Sequence, residues 1–445
     1  MKLATKRRRG RIASLSFCSF ALLSLGGCSE EESANCTHRV CDVREDSCIE
    51  FVAEVVSCQR GVPLVQPPVR FVTTEELLAE QEQPTAEELE LSRDYWAGEA
   101  LVGLMPEGYD PADSAADSIS SFVAFYNWVD EEIIILSDAI DDEESAYRTL
   151  VHEMIHAQQD ADYDLDTLWA RYATSFPRSL GVRAAIEGEA VLYTALADLE
   201  REGISPDEVD WLSWFSNWQG DMLTEGLRTE FPSLSVTALF PYAFGSEQVY
   251  LAWERDGHEG VREYVQTPPD SVRQVMAGFD RRPPEVFNLD MELEPREVPV
   301  LPGHTYLGGG GQDSWLLNAM LQRRAGLAVG WTFGVSVIEA DHLSIWRNDE
   351  TGERVAVWRL MGDSGSVRDL LTGSQSQWRT AEDEATTHFS FPQGDDWVLV
   401  ATEEPHAVAV SAEITGWQRR EDALATGELQ RRPDEAEWRL RGVMP

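Results

Sequence analysis

One short stretch, residues 149–160, constrains the fold of this chain more than any other part of the sequence. It contains His152, Glu153 and His156, and residues four apart lie one above the other on a helix. Both histidines can therefore reach one metal ion while Glu153 lies beside them. Apolar residues at helical spacing predict that the opposite face packs in a core. They are Tyr147, Leu150, Val151, Met154 and Ile155.

Acidic residues mark the predicted start of this helix. Asp141 or Asp142 can cap it, and Glu143 and Glu144 in the first turn complement the helix dipole. The pattern alone leaves an alternative, in which both histidines are hydrogen-bonded inside an ordinary core helix. The choice depends on whether other parts of the chain complete a metal site.

A catalytic zinc site needs a third protein ligand and an open fourth position. Glu187 is the best candidate, because it lies on a second predicted helix, residues 180–201, where Gly188 allows a close helix approach. Asp162 stands at the spacing of the third ligand in metzincins. That arrangement requires a glycine where this chain has Gln159, so Asp162 is disfavoured.

Alternating aspartates follow the histidine motif. Such alternation is typical of calcium-binding loops, but Leu165 occupies the position where an EF-hand needs glycine for its sharp turn. A solvated acidic loop is the preferred interpretation, with calcium binding as the alternative. The aspartates are Asp160, Asp162, Asp164 and Asp166.

The two predicted helices together resemble a known class of enzyme. His152-Glu153-x-x-His156 followed by Glu187-Gly188-Glu189-Ala190 is similar to the gluzincin metallopeptidases, in which a glutamate from a second helix completes the metal site. Over residues 66–375 the chain resembles a largely uncharacterised bacterial family of exported gluzincin-like metallopeptidases. The blocks that carry this resemblance are Phe125-Tyr126, His152 to Asp160, Tyr163-Asp164-Leu165, Glu187-Gly188-Glu189-Ala190, Phe240-Pro241-Tyr242 and Pro268-Pro269-Asp270-Ser271.

The resemblance implies an α+β fold: a zincin-like catalytic domain with two crossing ligand helices and an edge β-hairpin. It implies Zn²⁺ held by His152, His156 and Glu187. Glu153 is then the general base that takes a proton from water and passes it to the leaving amine. Tyr242 is the candidate donor to the oxyanion.

Alternatives exist for two of these roles. The gap between His156 and Glu187 is longer than in thermolysin-like enzymes, so Glu189 or an intervening aspartate can be the third ligand instead. For Tyr242 the preferred interpretation is a tyrosine buried beside the metal helices, with the oxyanion role as the alternative. His258 is a weaker candidate for the oxyanion role.

Two β-rich runs, residues 122–126 and 132–136, predict a hairpin just before the metal-binding helix. In zinc peptidases a strand at this place borders the cleft and pairs with extended substrate, and residues 133–136 are predicted to be that strand. Three tryptophans at helical spacing follow the second ligand helix. Core packing is their preferred interpretation, with binding of an apolar substrate side chain as the alternative. They are Trp211, Trp214 and Trp218.

The first 27 residues predict an export signal, with basic residues before an apolar run at 12–25 and two small residues at its end. The ending Leu25-Gly26-Gly27-Cys28 resembles the lipobox of bacterial lipoproteins. This implies that Cys28 is lipidated and anchors an exported protein to the cell envelope; an ordinary cleaved signal is the alternative. Ser29 favours the outer membrane by resemblance to lipoprotein sorting in some bacteria.

Clustered cysteines follow the predicted anchor. In an exported chain they predict two disulfides in one of three connectivities, since no Cys-x-x-Cys pair is present for zinc. Residues 28–65 are therefore predicted to be a lipid-anchored, Cys-rich tether. The four cysteines are Cys36, Cys41, Cys48 and Cys58.

Proline-rich and glycine-rich breaks predict a catalytic domain at 66–285 and a C-terminal α+β module at 286–445. The formal charge of the chain is −43. Nucleic acid is excluded as a partner, because binding phosphates requires clustered Lys and Arg. The expected partners are a protein or peptide substrate and, through the lipid, a membrane.

These features predict a membrane-anchored zinc-dependent hydrolase of the peptidase type. The alternative is a cell-envelope lipoprotein that acts as a scaffold or binding module with a structural or inactive metal site. Glu153 favours catalysis, because a structural site needs four protein ligands and no acid placed as a base.

Overall fold

A computed structural model provides the fold. Mixed helices and strands confirm the α+β class. No helix within the ranges given below is long and apolar enough to cross a membrane. The predicted signal peptide, Cys28 and Ser29 lie outside those ranges. The structure describes residues 36–80, 84–113, 123–226, 228–229, 232–277, 297–313, 315–317, 338–362, 387–393, 396–403 and 416–419.

Helices dominate the first part of the described chain. A π-helical turn, Pro241–Gly245, joins α8 to α9. The helices are α1 (Asp46–Arg60), α2 (Thr74–Glu80), α3 (Ala86–Leu101), α4 (Glu143–Tyr163), α5 (Leu165–Tyr172), α6 (Phe176–Glu202), α7 (Trp211–Gly226), α8 (Pro232–Phe240), α9 (Ser246–Gln266) and α10 (Val272–Ala277). The strands are β1 (Val69–Val72), β2 (Ala124–Asn127), β3 (Glu132–Leu136), β4 (Glu297–Pro299), β5 (His304–Gly310), β6 (Ile338–Asn348), β7 (Arg354–Gly362), β8 (Thr387–Gln393), β9 (Asp396–Thr402) and β10 (Trp417–Arg419).

Helix α4 carries the histidine motif, as predicted. Of the two cap candidates, Asp142 is the one that caps it, accepting a hydrogen bond from Ser145 N at 2.8 Å. The helix ends at Asp164, whose φ of 56° lies in the left-handed region. The predicted apolar stripe is buried in the main core, and this burial holds the opposite face of α4 toward α6.

The three-stranded sheet has the order β1-β3-β2. The predicted hairpin is confirmed, because β2 pairs antiparallel with β3. The prediction that residues 133–136 border the cleft is wrong: β1 pairs in parallel with the other side of β3, so β3 has no free edge. Strand β2 is the edge strand that faces α4.

Two disulfides join the cysteines, Cys36 to Cys58 and Cys41 to Cys48, which confirms the predicted number and settles the connectivity. Helix α1 of this segment packs against α4 and α6 through Val52, which is fully buried. The described part of the predicted tether therefore contributes to the same core as α4.

The remaining strands form a five-stranded antiparallel sheet of order β5-β6-β7-β9-β8 and a small pair, β4 with β10. One face of the larger sheet packs on α3, where Ile345 and Trp358 share a core with Tyr95. Asp94 of α3 also forms ion pairs with Arg347 and Arg354. The sheet and the helical part thus have a common apolar core, while the predicted domain boundaries stay a prediction.

We expect His38 to make the fold sensitive to acid. Its Nδ1 lies 2.8 Å from the hydroxyl of Tyr147 on α4, and burial lowers its pKa to about 4. The unfolded chain therefore binds this proton near pH 6.5, before the folded protein does. Stability should fall by roughly 3 kcal/mol as the pH drops from 6.5 to 4. Urea unfolding across this range measures the fall; the variant His38→Asn should show a flatter profile, and an identical slope would contradict the assignment.

Candidate metal centre

Three side chains from α4 and α6 converge on one point. His152 Nε2 lies 3.1 Å from His156 Nε2 and 3.2 Å from Glu187 Oε2, and His156 Nε2 lies 3.3 Å from the same oxygen. Bonds of about 2.0–2.1 Å at tetrahedral angles separate ligand atoms by about 3.4 Å. The triangle therefore has the size required by a tetrahedral ion such as zinc.

The cluster has three ligand candidates and is not fully buried. Within the described ranges no further His, Cys, Asp or Glu joins these three residues to form a larger group. The Glu187 side chain is only 1% exposed, whereas that of His152 is 16% exposed. An ion held here would keep a position that water or a substrate can occupy.

The electrostatics of the cluster favour a cation. Burial would raise the pKa of Glu187, but the charges and hydrogen bonds of the two histidines hold it well below its usual range. Burial would likewise lower the pKa of His156, but the Glu187 carboxylate raises it to about 9. A divalent ion that binds to the ring nitrogen displaces this proton. The negative charge of Glu187, which stabilises the proton, would stabilise the ion as well.

The orientation of His156 is set by a neighbour one turn away. Its Nδ1 lies 2.7 Å from Gln159 Oε1. An amide oxygen only accepts, so Nδ1 donates to it, and Nε2 is the nitrogen that would bind an ion after losing its proton. Metal-binding histidines generally have such a partner on the second ring nitrogen.

Glu153 is buried beside the cluster. Its Oε2 accepts a hydrogen bond of 2.9 Å from Tyr126 N, so the edge strand β2 holds this carboxylate in place. Burial raises the pKa of Glu153, an effect that the charges of His152 and His156 oppose. A carboxylate with a raised pKa next to a cation site is suited to accept and release a proton.

Tyr242 also lies at the cluster, on the π-helical turn. Its ring stacks on His152 with centroids 6.1 Å apart. Burial raises its pKa well above the usual value, and the negative charge of Glu187, with which its side chain hydrogen-bonds, acts in the same direction. Tyr242 thus stays protonated, and its hydroxyl donates to the Glu187 carboxylate.

Gly188 brings this tyrosine close to the metal-binding glutamate. A Cβ at position 188 would lie 2.5 Å from the carbonyl carbon of Gly245, which ends the π-helical turn. Since that neighbour is backbone, it cannot rotate out of the way. The predicted close approach at Gly188 therefore exists, between α6 and the turn that carries Tyr242.

We expect Gly188→Ala to lower stability by about 1–3 kcal/mol and to displace Tyr242, because the new methyl group overpacks the contact with Gly245. Urea unfolding measures the first effect, and the loss of the His152–Tyr242 contact by NMR measures the second. Gly220→Ala on α7 is the matched control, since a Cβ there meets nothing within 4 Å. Equal stability of the two variants would contradict the expectation.

Other predicted candidates lie elsewhere. Glu189 points away from the cluster and forms an ion pair of 2.7 Å with Arg60. Asp162 lies 3.2 Å from the same arginine. His258 Nδ1 lies 2.6 Å from the hydroxyl of Tyr193. These contacts leave Glu187 as the carboxylate that faces both histidines.

Three of the four alternating aspartates have separate protein partners. Asp160 accepts from the hydroxyl of Tyr126 at 2.9 Å, and Asp164 caps α5 by accepting from Thr167 N at 3.0 Å. In the described part of the chain, the histidine–glutamate cluster is the one group of this kind that can hold a metal. The prediction of an acidic loop is wrong, because the helices α4 and α5 take up this segment on either side of Asp164. The contacts of these aspartates give no support to the calcium site.

The tryptophans of α7 pack on one another and on α9. Trp211 stacks on Phe215 and on Tyr250 with centroids 5.8 and 4.9 Å apart, and Trp214 contacts both Trp211 and Trp218. This agrees with the preferred interpretation as core.

The sequence did not predict three contacts at the site. They are those of the Tyr126 backbone N–H with Glu153, of Gln159 with His156 and of Arg60 with Glu189. Tyr126 and Gln159 lie inside blocks that carry the family resemblance, which was the available signal. Arg60 had none, because its partner Glu189 is distant along the chain.

The arrangement defines a class of site: a His-His-Glu cluster that can hold a metal, partly exposed at His152, with a buried glutamate and a tyrosine beside it. Comparison with family models, curated proteins and solved structures finds no match to this chain. What the site does is therefore inferred from its own residues.

Proposed function

We propose that this protein is a zinc-dependent hydrolase of the gluzincin-like metallopeptidase type. The observation that carries the proposal is the triangle of His152 Nε2, His156 Nε2 and Glu187 Oε2, with sides of 3.1–3.3 Å, next to buried Glu153. The pairing of α4 and α6 at this point, with edge strand β2 alongside, supports a zincin-like domain.

When bound, zinc would polarise a substrate carbonyl and acidify a water molecule. Glu153 takes a proton from the attacking water and transfers it to the leaving amine. Tyr126 N–H keeps the Glu153 carboxylate directed at the cleft. Tyr242, whose side chain hydrogen-bonds with Glu187, would redirect its hydroxyl to the oxygen that becomes negative in the transition state.

An extended protein or peptide segment is the proposed substrate. Strand β2 is the edge of its sheet and lies next to α4, so a peptide can align along it while its carbonyl reaches the metal. Because Tyr126 N already binds Glu153, the other outward-facing backbone groups of β2 have to make the pairing.

We also propose that the protein is exported and anchored by lipid at Cys28 to the cell envelope, with the outer membrane favoured by Ser29. The two disulfides support a compartment that oxidises thiols. The alternative function, a scaffold or binding lipoprotein with a structural or inactive metal, is less well supported because three ligands and an adjacent carboxylate suit a reactive site better than a closed one.

Metal analysis combined with a cleavage assay tests the proposal. The purified protein should contain about one zinc ion per chain and cleave a denatured protein mixture. A chelator should remove both properties, and added zinc should restore them. Stoichiometric zinc without cleavage would favour the scaffold, and an absence of zinc binding would overturn the metal centre.

A further inference from the structure

We propose that Arg60 is a positioning residue for the metal centre. Through Glu189 and Gln159 it keeps the proton of His156 on Nδ1, so that Nε2 faces the metal. This inference rests on the proposed metal site and assigns a role to a residue outside the catalytic helices.

Arg60 is buried at the end of α1, two residues after disulfide-bonded Cys58. Its guanidinium donates to Glu189 Oε1 from Nε at 3.1 Å and from Nη2 at 2.7 Å. It also donates to Gln158 Oε1 at 3.3 Å. Both donors meet on one oxygen of the buried Glu189 carboxylate, which leaves Oε2 to accept a hydrogen bond from another group.

The direction of hydrogen bonding is then determined step by step. Gln159 Nε2 donates to Glu189 Oε2 and to the carbonyl oxygen of Ile186, each at 2.9 Å. Both partners are acceptors, so the amide of Gln159 has one satisfactory orientation. Its Oε1 is thereby turned to His156 Nδ1 at 2.7 Å, and that nitrogen has to be the donor.

The opposite orientation would disable the ligand. If the Gln159 amide turned over, its NH₂ group would face Nδ1 and favour the ring with its proton on Nε2. A nitrogen that carries a proton has no lone pair for a metal. Arg60 opposes this by holding Glu189 as an acceptor, and α1, which carries Arg60, is linked to the chain before it by the Cys36–Cys58 disulfide.

Zinc affinity tests the chain of contacts. Arg60→Gln is expected to weaken zinc binding about 10- to 100-fold, the usual effect of removing a partner of a ligand. Arg60→Lys, which keeps the charge but not the two-point contact, should lie between this variant and the unsubstituted protein. Gln159→Leu should match Arg60→Gln, and the double variant should be no weaker than either single one, because both interrupt one path.

Gln158→Leu is the matched control. Gln158 is as buried as its neighbour Gln159 and bonds Arg60 and Ser57, but the hydrogen bonds found for it do not include Glu189 or His156. It should lose stability while its zinc affinity stays unchanged. If Arg60 acted only by packing, the zinc affinity of every variant, including Gln158→Leu, would instead fall in proportion to its loss of stability.

A spectroscopic measurement adds a direct readout. In the cobalt-substituted protein the Nδ1–H of His156 should give a shifted proton resonance that exchanges slowly with water. It should be lost by exchange in Arg60→Gln and Gln159→Leu and kept in Gln158→Leu. Should Arg60→Gln fail to fold, Arg60→Lys and Gln159→Leu still decide the outcome.

A failure of the positioning role can be distinguished from a failure of the proposed metal centre. If the unsubstituted protein binds zinc and the folded Arg60 and Gln159 variants bind it equally well, the positioning role is wrong and the metal centre stands. If the unsubstituted protein binds no zinc, the proposed function and this inference fall together.

Discussion

Substitution of Glu153 by Gln is expected to lower peptide hydrolysis by about three to four orders of magnitude while zinc remains bound. Gln keeps the size of the side chain and an oxygen that accepts from Tyr126 N, but it cannot take a proton from water. Because Glu153 does not belong to the converging ligand cluster, the metal content should be unchanged.

The measurement is single-substrate cleavage together with zinc analysis on the same sample. Stability should be retained or rise, since the variant removes a buried carboxylate whose pKa is already raised by burial. Glu143→Gln, in the first turn of the same helix and exposed, is the matched control and should keep full activity. Hydrolysis within tenfold of the unsubstituted rate would exclude Glu153 as the base.

Glu187→Ala is expected to weaken zinc binding by about a thousandfold. Zinc sites in proteins have binding free energies of about 10 kcal/mol or more, so loss of one of three ligands should remove roughly 4 kcal/mol. The two histidines would remain on α4, but without the carboxylate oxygen that lies within 3.3 Å of both ring nitrogens. Competition with a chromophoric chelator measures the change.

Glu189→Gln separates the two glutamates of the second helix. Glu189 faces Arg60, so its loss should weaken zinc binding by no more than about a hundredfold, as expected of a partner of a ligand. A larger loss for Glu189→Gln than for Glu187→Ala would mean that Glu189 is the third ligand. Glu202→Ala, at the exposed end of the same helix, should leave the affinity unchanged.

Much of the site can be predicted from interactions between residues that are close in the sequence. The spacing of His152 and His156, the apolar stripe beneath them and the cap at Asp142 depend on neighbours within one or two helical turns, so the sequence determines them. The hairpin β2–β3 and the presence of two disulfides follow in the same way from short separations. Each is decided by residues close in the chain.

Long-range contacts decided the rest. Glu187 and Glu189 are two residues apart and point to different sides of α6, and only the packing of α6 against α4 and α1 selects which one meets the histidines. Strand β2, rather than β3, became the edge because β1, from far earlier in the chain, pairs with β3.

The same reason explains Arg60. It contacts Glu189 across 129 residues of sequence, and no local pattern encodes a partner at that distance. The sequence by itself determined the helix α4 and the placement of His152, Glu153 and His156 on it. The tertiary structure alone decided which glutamate meets the two histidines, which strand is the edge and which buried contacts orient His156, because these depend on how separate elements pack together.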